Sequence, residues 1–236
     1  MDINHKYSNL ASFASKDDNF LGRKYPYTPS KYRGEFQRDR DRVIHSNSFR
    51  RLKFKTQVFV YYEGDHFRTR LTHSLEVSQI ARSVARVLNL NEDLCEALSL
   101  AHDLGHTPFG HAGETALSNC LGNDIFDHNV QSLRILILLE DSYRNQEGLN
   151  LSLNCLDGLL KHNGPFKNLK ILKNQLPEIF DYKINFQNSG SLEAQISSLS
   201  DDIAYNCHDI DDGLRAGLFN IEDLLNLKYL RKVFKD

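Results

Sequence analysis

The 236 residues carry 29 Lys and Arg against 31 Asp and Glu, a formal net charge of −2, with 40% hydrophobic and 25% charged residues. This balance suits one large soluble domain with a substantial core. No apolar run approaches membrane-spanning length and residues 1–15 hold no signal-peptide core. The four cysteines, Cys95, Cys120, Cys155 and Cys207, form no C-x-x-C pair. The expectation is a cytoplasmic protein with buried thiols and no membrane partner.

Charge is unevenly spread. Basic residues crowd the stretch from Arg23 to Arg70, and acids dominate from Glu178 until the segment 228–235. A basic first third could meet a polyphosphate or nucleic acid, or form a solvated face. Residues 1–34 are polar and punctuated by Pro26, Pro29 and Gly34, which reads as an irregular N-terminal arm before a domain over 35–236. A helix is expected over 35–52. The β-branched and aromatic run 57–62, a turn at 63–65 and a return through Phe67 to Leu71 predict a short β-hairpin over 57–71. Thr72 offers an N-cap for a helix carrying Val77, Ile80, Val84 and Val87 up to Asn89. Further helices are expected through Leu94, Leu98 and Ala101 to Gly105, from near His111, over 129–140 as the central helix, over 153–160 and over 191–214. In the last of these, Leu192, Ile196, Leu199, Ile203, Cys207 and Ile210 form the expected buried stripe. The fold class is all-α with one short hairpin.

Chemistry is concentrated in AHDLGHTPFGHAGE, residues 101–114. His102 and Asp103 are adjacent at a helix end and can converge on one ion. Neutral imidazole with carboxylate is a mixed N/O set that Mn, Fe, Zn, Co or Ni accept. A lone pair of this kind is more simply a helix end whose His faces the C-terminal dipole. His106, His111 and Glu114 in the same run tip the balance toward a metal site, which needs further ligands. His73, in the first turn of its helix beside Arg68 and Arg70, is unfavourable there if charged and acceptable as a neutral ligand. Asp201, Tyr205 and Asp209 share one helical face. Asp201 and Asp202 both lie within a turn of the expected buried stripe, where acids are costly unless they meet a cation. With Asp211 and Asp212 they could equally form a solvated acidic face.

These residues, with FRRLKFKTQVF (49–59), RLTHSLEV (70–77), DHNVQSLR (127–134) and DDIAY (201–205), resemble in order the deoxyguanosine triphosphate triphosphohydrolases of the HD-domain phosphohydrolases. The likeness spans about residues 25–220. It implies an HD-domain helical bundle that hydrolyses a deoxynucleoside triphosphate to deoxynucleoside and inorganic triphosphate. It implies one divalent ion, with Mg, Mn, Fe, Zn, Co and Ni left open, held by His73, His102, Asp103 and Asp201 rather than Asp202. His111 and Glu114, three residues apart on a helix, would be the catalytic acid/base pair that protonates the leaving 5′-oxygen. His106 and His128 are placed like phosphate-contacting histidines and Lys161 like a phosphate-binding lysine, while Tyr205 and Asp209 would face the deoxyribose. Of the nearby cations Arg50, Arg51, Lys53, Lys55 and Arg70, Arg50 and Lys55 are favoured for the triphosphate. A homo-oligomer is expected. His5, His45, His66, His162 and His208 receive no role. The family fold runs on past the position of Asp236, so its C-terminal part is expected to be missing here. Two other readings are another HD-type nucleotidase or phosphodiesterase, and a non-catalytic subunit binding nucleotides or single-stranded nucleic acid.

Overall fold

The computed structural model describes residues 9–60, 66–122 and 125–233. In chain order the α-helices are α1 (Glu35–Ile44), α2 (Asn47–Arg51), α3 (Arg70–Val87), α4 (Glu92–Ala101), α5 (Gly110–Leu121), α6 (His128–Arg134), α7 (Leu153–Leu160), α8 (Leu169–Gln175), α9 (Leu192–Arg215), α10 (Ile221–Leu225) and α11 (Lys228–Val233). The fold is all-α. Among the described residues no helix is long and apolar enough to cross a membrane.

The hairpin expected over 57–71 is not formed by the described residues. Its two arms share one isolated antiparallel bridge, Thr56 to Thr69, and residues 61–65, which include its turn, lie outside the described residues. Thr56 sends its amide to the Pro108 carbonyl (3.1 Å) rather than across a ladder. Phe59 and Phe67 still meet, their rings stacked with centroids 5.0 Å apart. Aromatic content therefore produces a ring contact here instead of strands.

Helix ends also differ from expectation. The helix expected over 35–52 breaks at Ser46, whose backbone is extended (φ −71°, ψ 155°) and whose hydroxyl accepts from the Phe49 amide. One serine thus separates α1 from α2 and caps α2. The N-cap of α3 is Thr69, not Thr72; the two threonines form a reciprocal capping box. This brings Arg70 into the first turn, three residues before His73 and on the same face.

The helix surrounded by others is α4, not the one over 129–140. It packs against α1, α3, α7 and α9. Asp93, Leu94, Cys95 and every residue from Ala97 to Ala101 are buried in it. The 129–140 segment is α6 followed by a π-type turn (Ile135–Leu139), with Val130, Leu133 and Ile137 buried as expected.

In α9 the buried face is rotated away from the expected one, with Ile196 and Ile210 left half-buried at its edge. Ala194, Ser197, Ser200, Ala204, His208 and Asp212 are buried, whereas Leu199 is 51% and Ile203 41% exposed. Short side chains let α9 approach α4 closely enough for Ser197 Oγ to meet Ser99 Oγ at 3.0 Å. Of the cysteines, Cys95 and Cys155 are buried while Cys120 and Cys207 are exposed, correcting the reading that all four are interior.

The described part of the N-terminal arm, residues 9–34, contains no α-helix but is anchored. Ser15 bonds both oxygens of Glu193, and Arg23 pairs with the buried Asp39.

Candidate functional site

The turn after α4 carries His102 and Asp103 into a cavity of about 360 Å³, within the size range of ligand sites. Ser132 of α6 shapes this turn: its hydroxyl accepts from Gly105 N–H (2.8 Å) and donates to the His102 carbonyl (2.9 Å). Gly105 is required there because a Cβ would fall 2.2 Å from the Ser132 nitrogen and 2.3 Å from the His128 carbonyl oxygen. α3 supplies Arg70 and His73 to the same cavity, and α9 supplies Asp201 and Tyr205.

His73, His102, Asp103 and Asp201 meet in this cavity although they come from three separate parts of the chain. Asp201 Oδ1 lies 2.8 Å from His73 Nε2 and 3.5 Å from His102 Nε2; Asp103 Oδ1 is 3.5 Å from His102 Nε2. Asp202, its neighbour, is exposed. The Asp201 carboxyl is held well below the carboxylate range: burial presses its pKa upward, but His102, His162 and His73 outweigh burial. Asp103 is likewise held down, burial being overcome by Arg70 and His102. Burial lowers the pKa of His102, yet Asp103 and Asp201 bring it up to about 9.

These donors fit a divalent cation. His102 Nδ1 lies 2.7 Å from the Ser99 carbonyl, an acceptor, so Nδ1 carries a proton. Its buried Nε2 has no hydrogen-bond partner and is aimed among carboxylates. It is the atom on which a positive charge, proton or metal, is favoured. Single atoms of His73, His102 and Asp103 lie within 4.8 Å of one another, as do those of His102, His162 and Asp201. Two imidazoles and two carboxylates form a mixed N/O set accepted by several first-row metals.

A second histidine group stands beside the first. His106 stacks on His128 with centroids 4.2 Å apart, and His111 packs edge-on at 5.0 Å from His106. Glu114 Oε2 meets His111 Nδ1 at 3.2 Å, while Oε1 accepts from the His128 backbone N–H and meets its Nδ1, each at 3.0 Å. Glu114 therefore orients two imidazoles, not one. Burial raises its pKa, but the His128 contacts bring it below its usual value. Burial and the Arg70 guanidinium press the pKa of His106 down to about 2, which favours the neutral imidazole.

Other expected residues lie elsewhere. Arg50 is exposed and bonded to Asn47. Lys55 does not line this cavity; its Nζ donates to the Leu104 carbonyl (2.9 Å), and it borders a separate cavity behind the 104–108 loop. Lys161 is buried against Asp157 at 2.5 Å. Tyr205 lines the site and is paired with Asp209, which does not.

The cation that reaches the acids of this cavity is Arg70, whose Nη1 bonds Asp103 Oδ2 at 2.6 Å. Gly110, with φ +57°, allows the α5 start to close over it; a Cβ there would sit 3.3 Å from Arg70 Nη2. The three-residue spacing from Arg70 to His73 is the signal for it in the sequence. His162, 3.2 Å from Asp201 and stacked on His102 at 5.1 Å, has none. It follows the end of α7, so only tertiary packing brings it in. Gln57 also borders the cavity, its buried Oε1 unpartnered.

A helical bundle with a His-Asp turn facing a His and an Asp from flanking helices defines a class, and the chain belongs to it: residues 70–206 match the HD domain family. The relatives are more particular. The chain is 60% identical over 233 residues to a deoxyguanosinetriphosphate triphosphohydrolase-like protein of Pelagibacter ubique, covering 98% of this chain and 62% of the relative. It is 56% identical to a protein of the same description from Parvibaculum lavamentivorans (95% of this chain, 58% of the relative). A third, from Rhodopseudomonas palustris strain HaA2, is 55% identical (91% and 56%). The chain spans about three fifths of the length of these curated relatives.

Proposed function

We propose that this chain carries the reaction centre of a metal-dependent hydrolase that splits a deoxynucleoside triphosphate into deoxynucleoside and inorganic triphosphate. The observation that carries the reading is the meeting of His73, His102, Asp103 and Asp201 around the unpartnered His102 Nε2. The names of the relatives support the substrate class.

The two His and two Asp would hold one divalent ion, which supplies Lewis-acid withdrawal of charge from the α-phosphate and makes water a better nucleophile near neutral pH. Arg70 neutralises Asp103 and presents positive charge to the phosphates. His106, kept neutral, can bond a phosphate oxygen without repelling Arg70. His111 is exposed, with Nδ1 toward Glu114. Its Nε2 is the group that would give a proton to the departing 5′-oxygen, with the Glu114 carboxylate stabilising the imidazolium. Tyr205, on the cavity wall formed by α9, is the group for the sugar.

The test is to incubate the purified chain with Mn²⁺ or Mg²⁺ and each deoxynucleoside triphosphate, identifying both products, with Asp103→Ala as the blank. Deoxynucleoside with intact inorganic triphosphate is expected. Orthophosphate or pyrophosphate would assign a different HD-type hydrolysis. Nucleotide binding without turnover that survives His111→Ala would assign a non-catalytic subunit.

A further inference from the structure

Two histidines beside the metal site are not used by the proposed reaction, the half-buried His162 and the buried His208, and His208 occupies the more informative position. It lies on α9, seven residues beyond Asp201 and so on the same face. Its Nδ1 is 3.2 Å from His73 Nδ1, the rings meeting at 83°. Its Nε2 is 2.9 Å from Glu76 Oε2. Glu76 is itself held by Arg68, whose Nε donates to the same oxygen at 3.0 Å and whose Nη1 reaches Asp211 and Asp212 at 2.9 and 2.7 Å.

With a cation at His73 Nε2, donor and acceptor rules leave one neutral arrangement. A carboxylate only accepts, so the His208 nitrogen facing Glu76 carries a proton. Neutral His208 then has a lone pair on Nδ1, and His73 must donate its Nδ1–H to it. His73 Nε2 is consequently the nitrogen left to face Asp201 and the cavity. The reverse arrangement would set a His208 lone pair against Glu76 at 2.9 Å, whereas in the first the His73 Nε2 lone pair facing Asp201 at 2.8 Å is satisfied by the cation between them.

We propose that His208 and Glu76 are positioning residues for the metal site, fixing His73 in the tautomer and ring orientation that turns Nε2 toward the cation. The inference rests on the metal reading given above. It parallels His102, whose far nitrogen is fixed by the Ser99 carbonyl. Hydrogen bonds to the outer nitrogen of a ligand imidazole typically contribute about 10–100-fold in metal affinity.

The experiment measures Co²⁺ affinity and the visible Co²⁺ spectrum on the full chain, with the thermal midpoint of the metal-free protein recorded alongside. The variants are His208→Phe, His208→Asn, Glu76→Gln and the double variant His208→Phe/Glu76→Gln. His208→Phe is expected to weaken Co²⁺ binding by about 10–100-fold and shift the spectrum, with the metal-free midpoint near that of the wild type. His208→Asn, which keeps an acceptor close to the Nδ1 position, should recover most of the affinity. Glu76→Gln should weaken binding alone but add nothing to His208→Phe, since the two act in series. Equal losses for His208→Phe and His208→Asn, additive losses in the double variant, or unchanged Co²⁺ affinity in His208→Phe would each overturn the proposal. If His208→Phe does not fold, the His208→Asn and Glu76→Gln comparison decides it. A wild type that binds no Co²⁺, Mn²⁺ or Zn²⁺ would overturn the metal reading itself, a result distinct from binding that ignores His208.

Discussion

Arg70 and Asp103 show how much of the site's order is electrostatic. Both are buried, and their bond at 2.6 Å is the main compensation for taking two charges out of water. Arg70→Gln would leave Asp103 charged and buried beside His102. A loss of about 3–5 kcal/mol is expected from breaking such a pair, read by urea unfolding of the metal-free protein near pH 7. Divalent ion should restore part of that loss, because it replaces the missing positive charge. A variant as stable as the wild type would mean that water or His102 already compensates Asp103. The same residues show what the sequence displays and what it hides. His102 and Asp103 stand out as neighbours in a histidine-rich run. Arg70 is only one of five nearby cations, and packing sets aside the favoured Arg50 and Lys55. Arg50 turns to Asn47, and Lys55 faces the other side of the 104–108 loop.

At the level of elements, α9 is the most instructive. Its apolar residues recur at helical spacing, yet the face that packs is made of Ala, Ser, His and Asp. Hydrophobic periodicity reports burial only where large side chains fill the contact. Here the contact is tight, and polar groups on it are bonded across it, Ser197 to Ser99 and Asp212 to Arg68. Ala204→Leu is therefore expected to cost about 1–3 kcal/mol by overpacking, whereas Leu199→Ser and Ile203→Ser should each stay within about 0.5 kcal/mol in this chain. Thermal unfolding of the three variants checks the contrast, and a large loss from Ile203→Ser would return the buried stripe to its expected place. Lys55 offers a pH test on the segment before α3. Burial and then Arg51 lower its pKa from 10.5 to about 8. The unfolded chain binds the extra proton more readily, so stability rises with pH between about 8 and 10.5 and is lost as pH falls through the folded value. Lys55→Met should flatten that rise in urea-midpoint measurements; an unchanged slope would assign it to other groups.

On the scale of the whole molecule, Glu193 joins three distant parts of the chain. Its fully buried carboxylate accepts from Ser15 N–H at 2.8 Å, Ser15 hydroxyl at 3.0 Å and Asn91 N–H at 3.2 Å. It therefore ties the N-terminal arm to the starts of α4 and α9. Glu193→Ala strands buried donors at about 1–3 kcal/mol each. Limited proteolysis should then cut within residues 9–34 faster than in the wild type. Cutting at the wild-type rate would show the arm to be held by its other anchors, such as Arg23 with Asp39.

The linear chain determined the all-α class and the limits of α7, because local periodicity and capping mark both, and its histidine-rich run singled out His102 and Asp103; local spacing left Asp201 and Asp202 open, and only the family resemblance chose between them. Tertiary structure alone decided which face of α9 is buried, that Gln57 to Val60 makes no ladder with the described residues after it, and that His162 and His208 stand beside Asp201 and His73. Those outcomes depend on how closely helices far apart in sequence approach one another. Interhelical distance is set by the summed volumes of both partners, a quantity no single segment contains.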